Sequence, residues 1–206
     1  MINSVTLREI KQTSPERFTL IFDDGTELKT TLGIITERFI HSGMELDEAE
    51  FNELISASGL AMAKARALRI INARPMSREE LRKRLIEKGE TPENAEECAD
   101  WLCRMGLIND SEYAGSVVRH YAAKGYGASR IKQELRRHGV PREMWEEAML
   151  QMPEQDAYLE RFIRTRLTDP GDRAQVKKVS DALFRRGYSW DQIKHALNEF
   201  DTQGDY

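Results

Sequence analysis

Eleven basic side chains stand in three groups along the 206-residue chain: Arg82, Lys83 and Lys88; then Arg130, Lys132, Arg136 and Arg137; then Lys177, Lys178, Arg185 and Arg186. Clustered cations of this kind bind anions. Arginine offers a planar fork that matches carboxylate or phosphate, and lysine offers a point charge. The chain around them is acidic, with 31 Lys and Arg against 35 Asp and Glu and a net charge of −4. Positive charge is therefore concentrated locally. Residues 78–88 hold five basic against three acidic side chains, residues 129–138 four against one, and residues 173–186 five against one. Residues 90–100 carry five acidic side chains and no basic one. If these stretches are helices stacked in register, the cations form one stripe along the body. A long anionic partner, nucleic acid or a protein filament bound to it, complements such a stripe. A competing reading needs no partner. Cations near a helix C-terminus suit the macrodipole at about 0.3–1 kcal/mol each, which accounts for Lys88, Arg136, Arg137, Arg185 and Arg186. It leaves Arg82, Lys83, Arg130 and Lys177 unexplained.

The remaining chemistry-bearing residues assemble no reaction centre. His41, His120, His138 and His195 are scattered, and GxxxxGK[ST], GxSxG and HExxH are all missing. The expectation is a non-enzyme without metal or cofactor. Cys98 and Cys103, five apart on a predicted helix, neither pair easily nor make a zinc site, and read as reduced core thiols of a cytoplasmic protein. The opening "MINSVTLREI" lacks the pattern of a signal peptide, and no apolar run approaches the ~20 residues of a membrane span. Trp101, Trp145 and Trp190 fall on apolar or flanking positions and read as core packing. With little aromatic interleaving among the cations, any nucleic acid is expected to be touched at its phosphates, with weak sequence preference.

The elements that position the cations follow from periodicity. "SVTLREIK" and "RFTLIFDDGTELKT" alternate apolar and polar residues, and Asp24-Gly25 marks a turn, so residues 1–45 predict a β-hairpin or three-stranded sheet. From Asp47 the period becomes helical, with Phe51, Leu54 and Ile55 on one face and Leu60, Ala63, Ala67, Leu68 and Ile71 on the next. Pro75 ends that run, Ser77 caps the following helix with Glu80 three residues on, and Asn109 with Glu112 repeats the device. Three glycines, Gly89, Gly139 and Gly187, then align a repeat. Position −8 holds Leu81, Ile131 or Val179; position −4 holds Leu85, Leu135 or Leu183. Position +6 holds Ala95, Trp145 or Ile193; +9 holds Cys98, Ala148 or Ala196; +10 holds Ala99, Met149 or Leu197. The glycine is a helix C′ residue in the left-handed region, and the apolar positions are the inner faces of the helices before and after it. Apolar-periodic stretches at 60–73, 111–123 and 156–167 supply a third helix to each unit. The expected architecture is mainly α: three tandem three-helix units, 46–106, 107–152 and 153–206, stacked into an elongated curved body. The alternative is one irregular helical bundle with a chance repeat.

These motifs resemble the RecX family of bacterial regulatory proteins. "ALRIINARPMSREELRKRLIEKG" is similar to the family's first-unit signature, "GLINDSEYA" to its linker, and "GASRIKQELRRHGVP" to its second unit; "QVKKVSDALFRRGYSWDQIKHAL" keeps the frame more weakly. The resemblance is strongest between Ala67 and Met149. It implies tandem three-helix units and binding along the groove of the RecA recombinase filament on single-stranded DNA. It further implies inhibition of filament extension, ATPase and strand exchange by a cytoplasmic monomer. The eleven cations are the expected interface, with single- or double-stranded DNA touched through phosphates. The acidic total, with a sequence pI of about 5.7, favours a mainly protein–protein mode. Two other classes fit the residues: a DNA-binding module acting without recombinase, and a generic helical scaffold. The tetratricopeptide form of the latter fails on period, near 50 against about 34 residues.

Overall fold

A computed structural model describes residues 4–203. The chain runs β1 (Val5–Ser14), β2 (Arg17–Phe22), β3 (Glu27–Thr31), α1 (Leu32–Glu37), β4 (Glu45–Leu46) and α2 (Glu48–Ala73). It continues α3 (Arg78–Glu87), α4 (Pro92–Arg104), α5 (Asp110–Ala123), α6 (Ala128–Arg137), a 3-10 turn (Arg142–Met144), α7 (Trp145–Met149), α8 (Asp156–Arg164), α9 (Arg173–Arg185) and α10 (Trp190–Gln203). Two compact units result. One takes the chain up to Pro75 together with Leu81–Ile108, and the other takes Met76–Glu80 with the chain from Asn109 on.

The first unit begins with an antiparallel sheet of order β3-β2-β1-β4. The Asp24-Gly25 turn joins β2 to β3, with Gly25 at φ +87° and its N–H donating to Phe22 O at 3.1 Å. A fourth strand was not expected. β4 is two residues long, pairing Val5 with Leu46 and Thr6 with Glu45, too short to show alternation. The six-residue α1 was also not expected; Thr31 caps it. The sheet buries Leu7, Leu20 and Phe22 against Ile40, Leu46 and Leu54. The two apolar runs after Asp47 form one continuous α2, started by a capping box between Asp47 and Glu50, and Gly59 does not interrupt it. Its first half faces the sheet: the buried Ser58 hydroxyl donates to Thr30 Oγ1 at 2.9 Å, and Phe51 meets Phe22 edge-on. Its second half buries Ala63 and Ala67 completely.

The glycine frame is the frame of the helices. Gly89, Gly139 and Gly187 have φ of +89°, +68° and +93°. In each copy the next amide reaches back to the leucine carbonyl at position −4: Glu90 to Leu85, Val140 to Leu135, and Tyr188 to Leu183. This is the six-to-one bond of a Schellman ending, and the three leucines are fully buried. The second and third helix triples each own a core. One gathers Ala114, Val118, Ile131, Leu135 and Ala148; the other gathers Leu159, Ile163, Val179, Leu183, Tyr188 and Ile193. Both predicted caps form, with Glu80 N donating to Ser77 Oγ at 3.1 Å and Glu112 N to Asn109 Oδ1 at 3.1 Å. Ser77 also donates to His138 O at 2.6 Å, so one buried hydroxyl starts α3 and covers the end of α6.

Of the three tryptophans, Trp101 and Trp145 are half-buried. Trp190 departs from the core-packing expectation: it is 54% exposed and stacks on the equally exposed Phe184 at 5.3 Å. It opens α10 three residues before the inward-facing Ile193, which puts it off the inner face. Neither cysteine forms a disulfide among the described residues; Cys98 is fully buried on the inner face of α4 and Cys103 is half-exposed. Burial pushes the Cys98 thiol up to about 11, with Lys64 opposing. The native fold thus holds the thiol proton more tightly than the unfolded chain does. Stability linked to Cys98 is intact below pH ~9 and is lost as the pH rises towards ~11. Between pH 8.5 and 11 the urea midpoint is expected to fall further for the wild type than for Cys98→Ala; equal slopes would show that Cys98 does not titrate with unfolding.

Candidate functional site

The three basic groups do not share one fate. In the first unit, Arg82 reaches Glu96 on α4 at 3.7 Å and is half-buried, while Lys83 and Lys88 are exposed. In the second unit, Lys132 and Arg136 lie exposed on α6, and Lys177, Lys178 and Arg185 lie exposed on α9. Arg130, Arg137 and Arg186 are tied into the fold.

The tie on α6 is Glu134. Ile131, Glu134 and Leu135 share the inner face of the helix, and Glu134 is only 3% exposed. Arg130 Nη2 approaches its Oε1 at 2.8 Å and Arg137 Nε its Oε2 at 3.0 Å. Arg137 also donates to the Tyr121 hydroxyl at 3.5 Å. That phenol is pushed above its ordinary range by burial and then by the Glu134 charge. One carboxylate therefore absorbs two of the four cations of α6.

The tie on α9 is its C-terminus. Orphan carbonyls there meet the orphan amides that start α6: Gly127 N donates to Arg186 O at 2.9 Å and Ser129 N to Gly187 O at 3.1 Å. Gly127 has no side chain to cap α6, and the α9 carbonyls replace it. The Arg186 side chain turns back and donates from Nη1 to Lys124 O at 3.2 Å and Gly125 O at 3.4 Å. Tyr188, buried beside it, donates to Gly125 O and Gln155 Oε1, and burial raises its pKa.

This junction brings together cations and rings that are far apart in sequence. Arg186 lies over three rings: Tyr126 at 5.6 Å, Tyr158 at 5.8 Å and Phe162 at 5.2 Å. Arg130 lies over the same Tyr126 at 5.9 Å. On α8, Arg161 lies over Tyr158 at 5.9 Å, and Arg166, just past the helix end, lies over Phe162 at 3.9 Å. Arg161 and Arg166 lie outside the expected interface, which holds only cations of the helix preceding each aligned glycine. A local signal existed: Tyr158 and Arg161 are three apart, Phe162 and Arg166 four apart, the spacings that place side chains together on a helix. The pairing with Tyr126 and Arg186 had none, because it is made by tertiary packing.

Guanidiniums gathered in this way have the chemistry to meet an anion. Among the described residues no cluster of three or more His, Cys, Asp or Glu side chains suits a metal, and no helix is long and apolar enough to cross a membrane.

Comparison with known proteins agrees with this architecture. The family model "RecX, first three-helix domain" matches residues 63–102, and "RecX, second three-helix domain" matches residues 109–149. Of solved structures, a crystal structure of regulatory protein RecX superposes with a TM-score of 0.72 at 24% identity, over 94% of this chain and 99% of that one. The crystal structure of RecX from Lactobacillus salivarius gives 0.62 at 24% identity, over 71% and 99%. At that identity the likeness speaks for the fold. Regulatory protein RecX of Chromohalobacter salexigens is 32% identical over 64% of this chain and 88% of its own. Regulatory protein RecX of Xanthomonas axonopodis pv. citri is 34% identical over 141 residues, 67% of this chain and 86% of its own. By that relationship, and by the two matched three-helix domains, this chain belongs to the RecX family of regulatory proteins.

Proposed function

We propose that this chain is a negative regulator of a RecA-type recombinase, a cytoplasmic monomer that acts by binding rather than by catalysis. It lies along the groove of the recombinase filament on single-stranded DNA and slows filament extension, ATP hydrolysis and strand exchange. The observation that carries this reading is the relationship to proteins named as RecX regulators across both matched three-helix domains. The exposed cations of α6 and α9 support it, because among the described residues they make none of the ion pairs that occupy Arg130 and Arg137. They are the proposed contacts, with Lys83 and Lys88 of α3.

The test is recombinase ATPase on single-stranded DNA, titrated with the wild type and with Lys132→Glu/Arg136→Glu. Both substituted residues are exposed, so the fold is expected to survive. The wild type is expected to suppress turnover, and the variant to need roughly ten-fold more protein for the same effect. A wild type that leaves ATPase unchanged sinks the reading. Equal potency of a folded variant removes those two side chains from the interface. The clustered arginines at the α6–α9 junction favour a second reading, a DNA-binding module that needs no recombinase. It would be recognised by tight binding to bare DNA with a steep salt slope, where the regulator binds the filament far better than the naked strand.

A further inference from the structure

We infer that Arg161 and Arg166, with Arg186 at their centre, form a phosphate-gripping surface for a single strand of nucleic acid. The inference rests on the reading above and deepens it, naming the surface through which the regulator touches the strand inside the filament. The juxtaposition is the argument. Arg186 is half-buried and fixed by two backbone carbonyls, and its guanidinium holds Tyr158 and Phe162 beneath it. Those two rings also carry Arg161 and Arg166, both exposed.

A guanidinium stacked over a ring keeps its N–H edge for an anion, and the stack removes rotamer freedom that binding would otherwise cost. Arg166, 3.9 Å from its ring, is the tightest of these stacks. Among the described residues no carboxylate pairs with Arg161 or Arg166; the nearby Glu160 is held by Arg164 on the same helix. Arg130, by contrast, spends its fork on Glu134 and belongs to the scaffold of the surface.

The chemistry that fits is the phosphodiester backbone. Planar forks grip phosphate bidentately, and single-stranded nucleic acid supplies phosphates at regular spacing along a flexible chain. Phe162 is buried, and Tyr126 and Tyr158 are half-buried with arginines over them, which favours phosphates over stacked bases as the contact. Binding is therefore indifferent to base sequence. It is local enough to persist on a chain whose net charge is −4.

The test uses the whole protein, no recombinase, and a labelled oligothymidylate in a salt series read by fluorescence anisotropy. Relative to wild type, Arg161→Ala/Arg166→Ala is expected to bind at least ~10-fold more weakly, and its log–log salt slope to fall by about 1.4, two phosphates at ~0.7 each. Arg161→Lys/Arg166→Lys keeps the charge but not the stacked fork; it is expected to retain the slope while losing affinity several-fold. Circular dichroism confirms that both variants fold. Failure of the wild type to bind the strand at low salt overturns the inference, as does wild-type affinity in the alanine variant. A lysine variant equal to wild type overturns the stacked fork. Polyglutamate competing as well per charge as the oligonucleotide overturns the assignment to nucleic acid. The recombinase reading is decided separately, by the ATPase titration with recombinase present, so the two can fail independently.

Discussion

Gly187→Ala is expected to lower unfolding free energy by about 2–4 kcal/mol, while the sequence-equivalent Gly89→Ala costs about 1 kcal/mol. Both glycines sit at nearly the same left-handed φ, +93° and +89°. The conformational cost of a Cβ there is common to the two, ~1 kcal/mol. The surroundings differ. At Gly89 an added Cβ meets nothing within 4 Å. At Gly187 it would lie 2.6 Å from Arg130 Cβ and 3.0 Å from Arg130 Cα, and closer still to the Arg130 amide nitrogen. Backbone cannot swing aside as a flexible side chain can. The first turn of α6 would have to lift off the end of α9, loosening the bonds from Gly127 N and Ser129 N to the α9 carbonyls. Overpacking of this kind costs about 1–3 kcal/mol, and it adds to the conformational cost. Gly127 faces the same contact from the other side, where a Cβ would come within 2.5 Å of the Gly187 carbonyl carbon. Urea midpoints of the two alanine variants decide the matter, with amide exchange in α6 and α9 locating the damage. Equal losses at positions 89 and 187 would mean that only the left-handed φ matters and that the close approach is irrelevant.

That contrast also marks how far sequence carries. The glycine frame was legible because it is local: a C′ glycine and the leucine four before it are joined by one backbone bond, repeated in three copies. The inner-face positions were legible because helical period is written in apolar spacing, and Leu81, Ile131 and Val179 are all buried accordingly. What the frame could not distinguish is that Gly187 lies against α6 while a Cβ at Gly89 would meet nothing within 4 Å, since the two hold the same position in the repeat. The sites divide the same way. Exposure of Lys132, Arg136, Lys177 and Arg185 follows from helix faces. The fan of arginines about Tyr126, Tyr158 and Phe162 does not, because it joins a loop, α8 and the end of α9. β4 escaped for a different reason, as two residues carry no period.

Glu134→Ala is expected to destabilise the second unit by about 2–3 kcal/mol and, at the same time, to strengthen binding of anions to α6. Counted along the sequence, Glu134 merely dilutes a basic helix by one charge. In the fold it stands at position −5 from Gly139, where the other copies carry Arg84 and Ala182, so the repeat gave no reason to expect a buried carboxylate. Its removal leaves a gap beside Ile131 and Leu135 and strips Arg130 and Arg137 of their shared partner. Breaking a buried ion pair costs about 3–5 kcal/mol when the orphaned charge stays buried. Here the arginine side chains are 41% and 68% exposed and can turn to water, which moves the estimate below that range. Glu134→Leu separates the two contributions. It refills the gap and frees the same two guanidiniums, so it is expected to recover much of the stability while keeping the gain in anion binding. Urea denaturation and oligonucleotide anisotropy on the same pair of variants read both effects. If the leucine variant is as unstable as the alanine variant, the carboxylate holds α6 through its charge. If neither variant binds the oligonucleotide better than wild type, Arg130 and Arg137 serve the fold alone, and the outward cations of α6 are only Lys132 and Arg136.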